Sequence, residues 1–311
     1  MDPFERMSLG DLHDVIPVLQ TVEKGDYAVS LVSLERWDGA LVGTFITHYP
    51  DLTTWDSSMS SGLRVSVFVD GERVWPEVPG SQSIHSDGGI ASHRHERTVP
   101  FNGVGHDLII QTELLIHTFD LNRPGPDGGR SIVANSRTVE SKGHYGFTVS
   151  LPERQIEIPP AEPVKKPPIS RQHPRNCPPD TGSPHRVIPI RQTQSAGDWL
   201  VTLIALEISP TGMVLTSRVR GGGTDIPDLG VAICDDLGNG YAMWPSAGGG
   251  TMEYQGKRQW RWWTIIEPAI DPQAHVLFIN VQPTERRGEG RVVPAPVAGE
   301  PMMTFVVAVG W

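Results

Sequence analysis

The densest group of residues able to do chemistry is His85, Asp87, His93 and His95. Residues two apart on a strand share one side, so His93 and His95 can offer two imidazoles to a zinc or another divalent ion. Asp87 or His85, from the adjoining loop, would complete three ligands, and such a centre would serve a metal-dependent enzyme. The competing account is an exposed polar loop. Ser86, Gly88, Gly89 and Ser92 surround these residues, and no His-Glu-x-x-His or paired-Cys spacing accompanies them.

The second cluster is Trp260, Arg261, Trp262 and Trp263. Strand alternation puts Trp260 and Trp262 on one side and Arg261 and Trp263 on the other. The run predicts a solvent-exposed Arg261 beside a partly exposed indole, a patch able to contact a protein or stack on a sugar ring. Core packing is the alternative, because Trp is highly buried on average. Asp225, Asp228, Asp235 and Asp236 have the oxygens that calcium prefers but no ligand loop, and they read as turn residues. Gly221–Gly223 and Gly248–Gly250 are loop tips between strands, where no helix dipole is at hand for a phosphate. No nucleophile elbow or dinucleotide fingerprint occurs, so no catalytic residue and no cofactor are assigned.

The elements that hold these residues come from a repeat. Val15–Glu35 laid over Val187–Glu207 matches at Val, Ile, Pro, Gln, Thr, Gly, Asp, Val, Leu, Leu and Glu, a constant offset of 172. The likeness continues from Leu63–Asp70 to Leu229–Asp236, from Trp75-Pro76 to Trp244-Pro245, from Leu108–Ile110 to Val276–Phe278, and from Phe147–Leu151 to Phe305–Val309. Within each copy, β-branched and aromatic runs alternate with Gly-Asp and Asp-Gly turns. Eight strands per copy are expected, and no segment has a helical period.

The fold expected is all-β: two tandem immunoglobulin-like antiparallel β-sandwich domains related by internal duplication, with a small barrel as the alternative. Residues 1–11 form a tail, 12–151 the first domain, 152–185 a linker and 186–311 the second domain. Ten prolines between Pro152 and Pro184 make the linker extended and polyproline-like. The loops Glu77–Glu96 and Asp120–His144 are expected to be the main differences between the copies.

Composition narrows the partners. A formal net charge of −10 disfavours nucleic acid and anionic membrane surfaces. No stretch reaches the ~18–20 apolar residues of a membrane helix, and the acidic start has no secretory character. Cys177 and Cys234 read as plain thiols that do not bridge, which fits the cytoplasm.

The opening of each copy (Val-Ile-Pro, Gln-Thr, a Gly-Asp turn, then Val-x-Leu-x-x-Leu-Glu) resembles the immunoglobulin-like domains of bacterial proteins related to anti-sigma-factor ectodomains. The resemblance implies a bacterial, non-catalytic β-sandwich and transfers no functional residue. That family's membrane span has no counterpart in this sequence. The function expected is a non-enzymatic binding or scaffold protein that acts through contacts with another protein or with itself. A carbohydrate or small-ligand module built on the tryptophans, and a metal-dependent enzyme built on the histidines, are the alternatives.

Overall fold

The strand grammar of the sequence is realised throughout the computed structural model, which describes residues 11–50, 57–69, 71–75, 84–87, 90–101, 107–120, 138–152, 183–221, 227–244, 251–254, 257–285 and 303–310. The first half of the chain forms β1 (Leu12–Lys24), β2 (Tyr27–Trp37), β3 (Ala40–Pro50), β4 (Ser57–Val69), β5 (Glu72–Trp75), β6 (Ile84–Asp87), β7 (Ile90–Pro100), β8 (Asp107–Asp120) and β9 (Thr138–Ser150). The second half forms β10 (Arg186–Ala196), β11 (Trp199–Ile208), β12 (Met213–Gly221), β13 (Pro227–Asp235), β14 (Gly240–Trp244), β15 (Thr251–Tyr254), β16 (Lys257–Glu267), β17 (Val276–Glu285) and β18 (Met303–Ala308). There is no helix among the described residues, and none is long and apolar enough to cross a membrane.

The chain divides into two compact units, Val18–Gln155 and Ile156–Trp311 with Met1–Pro17. The division between Pro17 and Val18 falls within β1. Arg191 helps to place the leading residues in the second unit: its Nη1 donates to the His13 carbonyl at 2.8 Å and approaches Asp14 Oδ1 at 3.4 Å. The expected linker and Cys177 lie outside the described residues, apart from the linker's two ends.

In the first half the strands form two sheets, ordered β1-β2-β3-β7-β6 and β5-β4-β8-β9. Both contribute to one interior, filled by Leu34, Phe45, Val65, Val99, Ile110 and Phe147. In the second half the order is β10-β11-β12-β16, with β15 on β16, and β14-β13-β17-β18. β14 bonds both β13 and β16, which merges these strands into one nearly closed barrel. Side chains link its two end strands. Gln192 and Gln194 of β10 donate to the Val306 and Thr304 carbonyls of β18 at 2.8 and 2.6 Å.

Two expectations need correction. Among the described residues each half has nine strands, with β6 and β15 adding edges that short polar sequence does not advertise. The segment Glu77–Glu96 is also not all loop. β7 begins at Ile90 and pairs with β3 along its whole length, from Pro50↔Ile90 to Ala40↔Pro100.

Irregularities recur at the same offset. Leu19 and Arg191 have positive φ (54° and 50°), the left-handed region that L side chains seldom adopt. Register slips lie between Leu31 and Ser33 and between Leu203 and Ala205. Gln20 Nε2 donates to the Thr148 carbonyl at 2.9 Å, as Gln192 does to Val306. Thr21 bonds Ser30 at 2.8 Å, as Thr193 bonds Thr202 at 2.9 Å.

These contacts set expected outcomes for chemical denaturation. Gln20→Ala and Gln192→Ala should each cost about 1 kcal/mol through a lost hydrogen bond. Leu19→Gly should raise stability by about 1 kcal/mol, because glycine takes a positive φ without steric cost. A loss of stability in Leu19→Gly would mean that the left-handed conformation at this position is held by the leucine side chain.

Candidate functional site

The inward face of β7 carries His93, His95, Arg97 and Val99, all buried. Register with β3 sets His93 opposite Thr47 and His95 opposite Phe45, so these residues face one interior. Ser61, from β4 in the other sheet, completes the cluster. The Ser61 backbone N–H donates to His93 Nδ1 at 3.1 Å, and the Ser61 hydroxyl lies 2.8 Å from the same nitrogen. A backbone N–H can only donate, so Nδ1 carries a lone pair and the neutral ring bears its proton on Nε2. That nitrogen lies 2.9 Å from the Tyr49 hydroxyl. His95 Nε2 lies 3.0 Å from Thr47 Oγ1 and 3.1 Å from Ser61 Oγ, and those two hydroxyls are 2.9 Å apart.

His95 is fully buried and its Nδ1 has no hydrogen-bond partner. Burial, then the nearby Arg97 charge, then His93, hold its pKa well below the usual imidazole value. A bare lone pair inside a protein is tolerable, whereas a bare buried N–H⁺ is much costlier. Next along the strand, burial pushes the Arg97 guanidinium down to about 10. Its Nε and Nη2 donate to the Leu63 carbonyl at 3.0 and 2.9 Å, and Nη1 donates to the Glu96 carbonyl at 2.7 Å.

A Ser–His contact of 2.8 Å is what nucleophile activation needs, but the rest of the geometry works against it. Ser61 is only 1% exposed, and its backbone N–H serves His93 instead of an oxyanion. The ring nitrogen opposite the serine meets a tyrosine hydroxyl, not an orienting carboxylate. In this arrangement the imidazoles and hydroxyls of the cluster hydrogen-bond one another.

Of the expected metal quartet, the side chains of His85 and Asp87 lie outside the described residues. β6 sets His85 opposite Ser92 and Asp87 opposite Ile90, and the His93 and His95 nitrogens serve hydroxyls. No group of three or more His, Cys, Asp or Glu side chains among the described residues could hold a metal ion. The polar-loop alternative is overturned too, since both imidazoles lie inside a paired strand. Sequence reasoning passed over Thr47, Tyr49, Ser61 and Arg97. The signal was the Phe45-Thr47-Tyr49 alternation, a polar residue in phase with aromatics that face inward.

The tryptophan patch also turns out differently. Arg261, expected in solvent, is 4% exposed and stands opposite the buried Arg218. Trp260 and Trp263 are buried, while Trp262 is half-buried and packs against the main core of the second unit. The expected alternation holds for Trp262 and Ile266, which share that core. The indole N–H groups of Trp260 and Trp262 and both polar atoms of the Gln259 side chain are buried without hydrogen-bond partners.

Among the acidic candidates, Asp235 is a turn organiser. Its carboxylate accepts from the Leu237 and Asn239 backbone N–H groups, the Asn239 amide and the Tyr241 hydroxyl at 3.0, 2.8, 2.8 and 2.7 Å. Burial and then Asp235 push the Tyr241 phenol up. Asp236 Oδ1 accepts from the His275 and Val276 backbone at 3.0 and 3.3 Å. Cys234 is a buried thiol packed with Val276 and Phe278.

No family model matches the chain, and no curated protein does. Among solved structures, a conserved domain protein from Bacillus anthracis is similar, with 12% identity over 99% of this chain and 93% of that one, and a TM-score of 0.32.

The buried neutral His95 makes stability depend on pH. Above the unfolded pKa of about 6.5 both states are neutral and nothing is lost. Below it the unfolded chain binds a proton that the folded chain refuses. Stability then falls by up to about 1.4 kcal/mol per pH unit until the depressed folded pKa is reached. Urea titrations between pH 8 and 5 should show this loss, and His95→Gln should flatten it. An unchanged slope in the variant would place the acid sensitivity elsewhere.

Proposed function

We propose that the chain is a duplicated pair of β-sandwich domains, immunoglobulin-like in the broad sense, that works by binding another protein and not by catalysis. The shared strand order, the paired left-handed residues Leu19 and Arg191, the matched register slips and the paired glutamine clasps all support duplication. The merger of the second set of strands through β14 is then a variation on a common plan.

One observation carries the binding assignment. The outer face of β4-β8-β9 exposes Ile109 (42%) and Val139 (51%), two of the large apolar side chains left in solvent among the described residues. They flank an Arg64–Glu113 ion pair of 3.1 Å. The matching face of β13-β17-β18 buries Cys234, Val276 and Phe278. The two halves thus treat the position of Ile109 and Phe278 in opposite ways, and exposed apolar side chains interspersed with charged ones suit a protein contact. The net charge of −10 supports a partner that is neither nucleic acid nor membrane, and the cytoplasm is the compartment we assign.

A second reading rests on the unpartnered indole N–H groups of Trp260 and Trp262. They would suit a small ligand rich in acceptors, such as a sugar. Glycan-array binding with a tryptophan fluorescence change, lost in Trp262→Phe, is the expected result on that reading.

The contact reading is tested by Ile109→Asp combined with Val139→Asp. Both sites are exposed, so the melting temperature should hold within about 2 °C. Cross-linked species formed by the full chain, with itself or with a partner, should weaken at least about 30-fold in affinity if the face is a hot spot. Identical cross-links in variant and wild type would remove the face from consideration.

A further inference from the structure

We propose that the Arg97 guanidinium and the small cavity it lines form a binding site for a halide-sized anion, chloride being the natural candidate. The cavity lies in the core of the first unit. Leu34, Phe45, Val65, Val99 and Ile110 line it together with Gly43, and it has room for about one water molecule. Arg97 is its one charged lining residue.

The electrostatics are lopsided. Arg97 is 7% exposed, and no carboxylate forms an ion pair with it among the described residues. Its hydrogen bonds go to two backbone carbonyls, Leu63 twice and Glu96 once. Three of the five guanidinium N–H groups are thereby used, and one on each terminal nitrogen remains. Among the described residues Glu96 is the carboxylate that acts on the charge, and its pull is weaker than the burial that lowers the guanidinium pKa. The imidazoles on the same face are His93, fixed by Ser61 and Tyr49, and His95, held neutral, so neither adds an anion. A buried cation without a counter-charge is among the costliest features a core can carry.

The fold does not demand this charge. By register, Arg97 stands opposite Gly43, and the matching pair in the second half is Thr264 opposite Leu215. A neutral residue serves there. Gly43 matters for space, because a Cβ at that position would come within 2.8 Å of the Phe45 ring, which also lines the cavity. A monatomic anion in the cavity would accept the remaining N–H groups and supply the missing charge, where water would supply only the hydrogen bonds.

The test uses the full chain at pH 7.5 in sodium chloride and sodium gluconate mixtures of constant ionic strength. Gluconate is too large for the cavity. Wild type should gain about 2–5 °C in melting temperature per tenfold rise in chloride. That gain should vanish in Arg97→Met, and in Val65→Ile, which fills the space while keeping the charge. The ³⁵Cl resonance should be broadened by wild type and narrowed again by bromide. If Arg97→Met does not fold, the wild-type ³⁵Cl line and Val65→Ile decide. No chloride dependence, no ³⁵Cl broadening, or the same dependence in a folded Arg97→Met would each overturn the site and leave water as the occupant.

Discussion

The polar groups that β7 turns inward are answered from inside the first unit, His95 Nδ1 excepted, and that requirement organises much of what surrounds them. Thr47 and Tyr49 are in phase on β3, Ser61 reaches across from the other sheet, and the Ser61 backbone N–H fixes the His93 tautomer. Remove any one and a buried donor or acceptor is left bare, at a cost of roughly 1–3 kcal/mol. The cluster therefore ties the two sheets together with directional bonds where the apolar core alone would allow sliding.

The same strand position carries different cargo in the two halves. Val42↔Thr98 and Val214↔Ile265 anchor the comparison, and counting back from them puts His93 and His95 at the places of Trp260 and Trp262. One interior is filled with imidazoles and hydroxyls, the other with indoles. Closure follows the same division. The first half keeps two sheets, while β14 and the glutamines of β10 draw the second into a barrel.

The β architecture was legible because alternation and turn chemistry are local. The 172-residue offset foresaw Gln20 and Gln192, whose equivalent roles the coordinates display. What escaped was long-range. Leu108–Ile110 had been aligned with Val276–Phe278, but pairing with Phe147 and Phe305 matches Ile110 to Ile279. That single-residue slip moves Phe278 from the main core to the opposite face, where it packs with Cys234. Arg261 was placed in solvent because charged residues are rarely buried, and nothing local announces that Arg218 lies across from it inside the fold. The histidines were grouped by sequence distance, whereas their partners come from residues 32 to 48 positions away.

The most direct test of a structural, hydroxyl-bound histidine pair is the ¹⁵N shifts of the imidazoles, read by long-range ¹H–¹⁵N correlation near pH 7 with and without added zinc. The account predicts His93 as the Nε2–H tautomer, His95 neutral and still neutral below its ordinary pKa of about 6.5, and no zinc-induced change in either ring. A His95 that titrates at or above that value, or zinc shifts on both rings, would contradict it and restore the histidines as a metal or proton-transfer centre.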